Sequence, residues 1–313
     1  MAELTLLLGA KERLLAEAEP VLGAWTVRGD RLADAAADRD ASLRGVFEFI
    51  GTRVPVAALT RSLDADDANA ALLLRADPAW VVPDAVTLRL LACGDMQLSA
   101  EDGAALARAL KPLFGDAGFP LEATTPSRWY LRCPTGAQLP VFSTPADALG
   151  DDIARHLPPG DAGKRWQHLL NEAQVILHNH PVNAARVARG LAPVNSLWIW
   201  GAGRLPDWVR TRFTDVRSDD DVVRALSARA KVDFATLEQA LPDDFGADTR
   251  MLIDLAAARD TADLGRRWLL PAQAALASRR LDAIEVHFAG GERFRYRHRH
   301  RWRLWRRVRK DPT

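Results

Sequence analysis

Cysteine, tyrosine and methionine are scarce in this chain: two, two and three among 313 residues. Two cysteines cannot staple a chain of this size, and Cys93 and Cys133 do not form a Cys-x-x-Cys pair, so a reducing cytoplasm is the expected setting. No apolar run approaches the ~20 residues that span a bilayer. The apolar stretch at residues 4–10 lacks a preceding basic region and a cleavage site, which argues against a signal peptide. A dominant charge is missing as well. Lys+Arg 42 against Asp+Glu 41 leaves +1, so no global field directs the chain to nucleic acid or membrane. GxSxG, P-loop and zinc spacings are absent. What is present, 48% hydrophobic and 27% charged residues, is enough for a sizeable core.

Periodicity predicts an α/β protein with a mainly parallel sheet flanked by helices. A buried strand at residues 3–9 leads into a helix from Lys11. Residues 64–75 read as helical, with acids in the first turn and Leu72, Leu73 and Leu74 near the end. Alternation around Val86, Leu88 and Leu90 suggests a strand within 81–92. Ser99 caps a helix to about Leu110, with Asp102 at the reciprocal position and Pro112 marking its end. Residues 128–133 form a short strand. A helix over 161–177 buries Trp166, Leu169, Leu170, Ala173 and Ile176. His180 caps the next helix, Pro181 occupies its first turn and Gly190 ends it. Residues 195–200 suit a strand covered on both faces. Further helices are expected at 220–230 and 261–277, with a strand at 251–255. The division expected is an α/β part at 1–133, a Pro/Gly/Asp-rich connection at 134–163, a second α/β part at 164–288, and a basic arm and tail at 289–313. A C-terminal hairpin with a three-residue loop would pair Val286 with Phe294, Ile284 with Tyr296 and Glu285 with Arg295. That register gives one apolar and one charged face.

Candidate chemistry concentrates in residues 170–203. His178-Asn179-His180 has a metal-ligand spacing, but Pro181 and the helical surroundings favour capping, and no metal site is expected. Asn183, Arg186 and Arg189 fall on one helical stripe and could grip phosphate or carboxylate, or form a solvated basic face. Gly201-Ala202-Gly203 could cradle an anion, or simply turn the chain. Asp64, Asp66 and Asp67, like Asp219, Asp220 and Asp221, suit helix starts. The tail at 293–310 holds ten Arg/Lys and no acid. As a strand it would place Arg295, Arg297, Arg299, Arg301 and Arg303 on one side. Such a ribbon could meet nucleic acid, an anionic membrane surface or an acidic protein, or protect a sheet edge.

Several segments resemble the RpfE-type regulatory proteins of bacteria. They are Pro55-Val56-Ala57-Ala58-Leu59, Leu74-Arg75-Ala76-Asp77-Pro78, Arg128-Trp129-Tyr130-Leu131, the run LNExQ…LHxHPVNxxR…VNSLWxWGxG, and the basic Trp-rich end. The central run is also similar to archaeal-type cofactor-independent phosphoglycerate mutases, α/β metalloenzymes of the alkaline-phosphatase-like group. The resemblance implies a pocket for a phosphorylated or carboxylated metabolite using His180, Asn183, Arg186, Asn195, Gly201 and Gly203. The departures imply lost catalysis. The first strand runs into Gly9-Ala10-Lys11 without an Asp, and no Asp-x-x-Gly-His passage follows Gly203. The expectation is a non-catalytic or diverged regulatory protein needing no cofactor, with a protein partner conceivable. A metal-dependent mutase, requiring a divalent ion, and a tail-based interaction module are the alternatives.

Overall fold

A computed structural model describes residues 2–16, 20–84 and 87–306. The chain divides into two compact units: Met1–Val54 with Pro206–Thr313, and the inserted Pro55–Leu205. This division differs from the sequence expectation because strands at both ends of the chain share one sheet.

The first unit begins with β1 (Glu3–Leu8), α1 (Lys11–Ala16), α2 (Pro20–Arg28), β2 (Asp30–Arg31) and α3 (Arg39–Arg44). The inserted unit contains α4 (Val56–Asp64), β3 (Leu72–Asp84), β4 (Thr87–Cys93), α5 (Ala100–Asp116), β5 (Leu121–Ala123), β6 (Trp129–Cys133), α6 (Pro145–Ala148), α7 (Gly160–His178), α8 (Pro181–Ala188) and β7 (Ser196–Gly203). The chain then returns to the first unit with β8 (Asp215–Arg217), α9 (Asp221–Ala230), β9 (Asp233–Ala235), β10 (Arg250–Leu255), α10 (Thr261–Leu264), a π turn (Gly265–Leu269), α11 (Leu270–Ala277), β11 (Ala283–Phe288), β12 (Arg293–Arg297) and a 3-10 turn (His298–Trp302).

In the first unit the sheet order is β2-β12-β11-β1-β10-β8-β9. The strands from β11 to β9 are parallel, and β12 and β2 add antiparallel edges. Leu4, Leu6 and Leu8 alternate onto a face that packs with Ile253, Val286, Trp25 and Trp268. Thr5, Asp254 and Glu285 are buried polar residues on the opposite face, because strand side chains alternate. The hairpin has the expected register, with Val286 opposite Phe294 and Glu285 opposite Arg295. Gly291 makes its turn at φ +91, and a Cβ there would lie 2.2 Å from the Ala35 carbonyl oxygen.

The second unit corrects several expectations. Its sheet is entirely antiparallel, with β3 pairing β4, β6 and β7. Residues 72–74 are strand rather than helix, because both faces of β3 are covered. Leu73 packs with Ala57, Ala58 and Tyr130, whereas Leu74 packs with Leu106 and Leu177. Asp64 ends α4 rather than starting a helix, and Asp67 precedes a short 3-10 turn (Ala68–Ala70) without capping it through its side chain. Asp64 accepts from Arg128 and Tyr130, and Asp67 from Arg61 and Arg132. Pro112 lies inside α5, where burial of Leu110 and Phe114 on either side of it carries the helix onward to Asp116. Ser99 caps α5 as expected, but the Asp102 carboxylate takes a bond from Arg189. Residues 134–163 are part of this unit rather than a linker, and Ala148 and Ile153 are core residues. Val86 lies outside the described residues.

The basic ribbon ends early. Strand β12 stops at Arg297 and a 3-10 turn follows, so the alternation expected as far as Arg303 is broken. Arg295 pairs with Glu3 and Glu285, and Arg303 with Asp30, so two of the five expected surface arginines are engaged within the fold. Residues 307–310 of the tail lie outside the described residues.

Candidate functional site

The His-Pro-Val-Asn-x-x-Arg passage folds as an internal clasp. His180 Nδ1 accepts from the Val182 amide at 3.3 Å and caps α8, as the sequence suggests. The Asn183 carboxamide donates to the Leu177 and Val194 carbonyls at 2.7 Å and accepts from the Val194 amide at 2.8 Å. Arg186 is fully buried. Its guanidinium donates to the carbonyls of Ala192 (3.0 Å), Gln97 (3.3 Å) and Met96 (2.6 Å). Asn195 bonds both backbone groups of Val81. The grip anticipated for a small anion is thus taken up by backbone, which must itself be satisfied when buried. Arg189 points elsewhere and pairs with Asp102 at the surface.

The two glycines have a packing role. A Cβ on Gly203 would come within 2.3 Å of Pro55 Cβ, and one on Gly201 within 3.0 Å of Val56 Cβ. They let the start of α4 lie against β7. The other motif segments converge on that same side of the sheet. Arg75 donates to Asp77 at 2.8 Å and to Thr60 at 3.2 Å, Trp200 donates to Asp77 at 2.7 Å, and the Arg75 guanidinium lies 5.5 Å from the Tyr130 ring centre. Burial pushes the Asp77 carboxyl above the usual range, against the opposing charge and hydrogen bond of Arg75 and the bond from Trp200. These segments thus meet in one buried polar layer of the inserted unit.

At the carboxyl ends of the parallel strands, where open α/β sheets place their ligands, the first unit holds Asp254 and Ser218. Arg39 donates to both Asp254 oxygens at 2.9 and 2.6 Å and to Asp220 at 2.7 Å. Ser218 Oγ donates to Asp254 at 2.9 Å, and Asp220 also caps α9. Burial works against the Arg39 charge, but Asp254 and then Asp220 push its pKa above the usual arginine value. A mutase-type divalent ion does not fit: a guanidinium bridges these carboxylates, and no group of three or more His, Cys, Asp or Glu among the described residues could hold a metal. Arg39→Ala is expected to cost about 2 kcal/mol, below the range for a fully buried pair because Arg39 is partly exposed. Urea unfolding reads this; a loss under about 0.5 kcal/mol would mean that the carboxylates need no partner.

An open cleft of about 470 Å³ lies in the inserted unit. Gln167, Asn171 and Gln174 face it from α7, at spacings of four and three that put them on one helical stripe. Ser196, Leu197 and Trp198 of β7 form its floor, and Leu88, Ile153 and Leu157 add apolar walls. Gln174 Nε2 donates to Ser196 Oγ at 3.2 Å, and the Trp198 indole is fixed on the Ser143 carbonyl at 3.0 Å. Asp152 is the one charged residue among the described lining residues. Asn171 and Gln174 belong to the LNExQ segment of the motif run, Ser196, Leu197 and Trp198 to its NSLW segment, and Gln167 lies one helical turn before it. Sequence reasoning instead singled out His180, Asn183, Arg186, Asn195, Gly201 and Gly203.

Comparison with known proteins agrees with the resemblance to the cofactor-independent phosphoglycerate mutases. The chain is 28% identical over 193 residues to a probable 2,3-bisphosphoglycerate-independent phosphoglycerate mutase of Geobacter sulfurreducens, covering 60% of this chain and 48% of that protein. It is 40% identical over 70 residues to a 2,3-bisphosphoglycerate-independent phosphoglycerate mutase of Methanothrix thermoacetophila, covering 22% and 18%. The chain thus spans about half or less of the length of these relatives. A solved cofactor-independent phosphoglycerate mutase from Thermoplasma acidophilum aligns over 95% of this chain and 89% of its own at 17% identity, with a TM-score of 0.42. No protein-family model matches the sequence. By its sequence, the chain is a distant homologue of the cofactor-independent phosphoglycerate mutases.

Proposed function

We propose that this protein is a diverged, non-catalytic relative of the mutases that binds a small uncharged ligand in the cleft of its inserted unit and acts in regulation, as its RpfE-type motifs suggest. The observation that carries the reading is the cleft lining: three carboxamides and the hydroxyls of Thr87 and Ser196 among apolar walls. Its size and mixed lining match small-molecule sites. Carboxamides both donate and accept, so they suit amide or hydroxyl groups on a neutral guest. A phosphorylated or carboxylated metabolite would meet the Asp152 carboxylate without a lysine or arginine among the described lining residues. The Arg39 bridge over Asp254 and Asp220 supports the loss of metal-dependent chemistry.

A thermal-shift panel of neutral amides and polyols, with 3-phosphoglycerate included with and without manganese, tests the reading. A neutral ligand at about 100 times its Kd should stabilise the protein by about 2.7 kcal/mol. Asn171→Leu combined with Gln174→Leu should abolish that shift with little change in the unliganded melt, because neither side chain is fully buried. Chelator-sensitive turnover of 3-phosphoglycerate would restore the enzyme alternative. Stabilisation by 3-phosphoglycerate that survives the double substitution would move the site away from the cleft.

A further inference from the structure

We propose that the C-terminal end of the described chain docks on an anionic lipid bilayer surface. Trp302, Leu304 and Trp305 are 65%, 62% and 76% exposed, large apolar side chains within four successive positions. The backbone that carries them is held to the fold. Arg303 donates to the Asp30 carboxylate at 2.6 Å and the Arg28 carbonyl at 3.0 Å, and Arg306 donates to the Gly29 carbonyl at 2.9 Å. His300 is buried beneath the turn. The apolar side chains therefore project from an anchored segment. Arg299, Arg301 and Arg306 are exposed around them.

Tryptophan settles at the headgroup boundary, leucine gains from entering the acyl region, and arginine is drawn to anionic headgroups. One apolar insertion alone gives marginal binding, and this patch supplies both an apolar and a cationic contribution. Nucleic acid fits less well. The Arg301 guanidinium lies 4.8 Å from the Trp302 ring centre and covers a face on which a base would stack, and Leu304 offers no stacking surface. No helix among the described residues is long and apolar enough to cross a membrane.

Co-sedimentation of the full chain with phosphatidylcholine vesicles, alone or with about one-third phosphatidylglycerol, tests the proposal. Binding is expected to the anionic vesicles, weakened by salt. Trp302→Ala combined with Trp305→Ala should lower partitioning at least about tenfold, and Arg301→Glu should also lower it. All three side chains are exposed, so far-UV circular dichroism should match the parent protein. Failure to bind anionic vesicles, equal binding to neutral ones, or partitioning unchanged in the double variant would overturn the proposal. Salt-sensitive binding to a DNA duplex without vesicle binding would overturn it too and assign the patch to nucleic acid.

Discussion

Arg186→Ala is expected to destabilise the inserted unit by about 3–5 kcal/mol, the range for removing one member of a buried charged hydrogen-bond set. The substitution strands the carbonyls of Met96, Gln97 and Ala192 and empties a fully buried space. Lysine should recover little, since one ammonium cannot reproduce a planar fork across three acceptors. Urea denaturation followed by circular dichroism measures the loss. A variant as stable as the parent that had lost affinity for a phosphorylated metabolite would instead return Arg186 to a ligand-gripping role.

Glu285→Gln is expected to cost about 3 kcal/mol at neutral pH, with the difference vanishing in acid. Burial of Glu285 would raise its pKa, but hydrogen bonds from His287 and Arg212, with the Arg212 and Arg295 charges, hold it at about 2. Arg212 donates at 2.8 Å and His287 lies at 3.3 Å. The sign follows from the lowered value. An unfolded glutamate titrates at about 4.3, so the contribution is complete above that pH and fades as pH falls towards 2. Parent and variant unfolding curves between pH 7 and 2 should therefore converge. A gap of constant size over that range would show that the carboxylate charge does not stabilise the fold.

The hairpin was legible in sequence because one face is apolar and the other charged, so only one register satisfies both. Helices α7 and α9 were legible from helical spacing and from Asp220 at a cap. Strand β3 was not. A strand covered on both sides shows no alternation, and Leu72-Leu73-Leu74 after a run of acids mimics the end of a helix. Arg186 was misread for a different reason. Its spacing from Asn183 and Arg189 suggests a shared stripe, but its acceptors at Met96 and Gln97 lie about ninety positions away in sequence. The cleft had a readable signal, the carboxamides at 167, 171 and 174. They lie outside the His-Pro-Val-Asn-x-x-Arg passage that carried the chemical signal, and the β7 floor opposite them is brought there only by the fold.

The strand order of the first unit also bears on synthesis at the ribosome. Strand β1 leaves the exit tunnel well before its neighbours β10 and β11, which begin at Arg250 and Ala283. The contiguous stretch Pro55–Leu205 can complete its own sheet meanwhile. Until Arg250 and the residues after it are made, the nascent chain therefore carries an unpaired, leucine-rich strand, an exposure that invites chaperone capture or misassociation. A ribosome stalled beyond the insert would present one finished body trailing behind a strand still waiting for its partners.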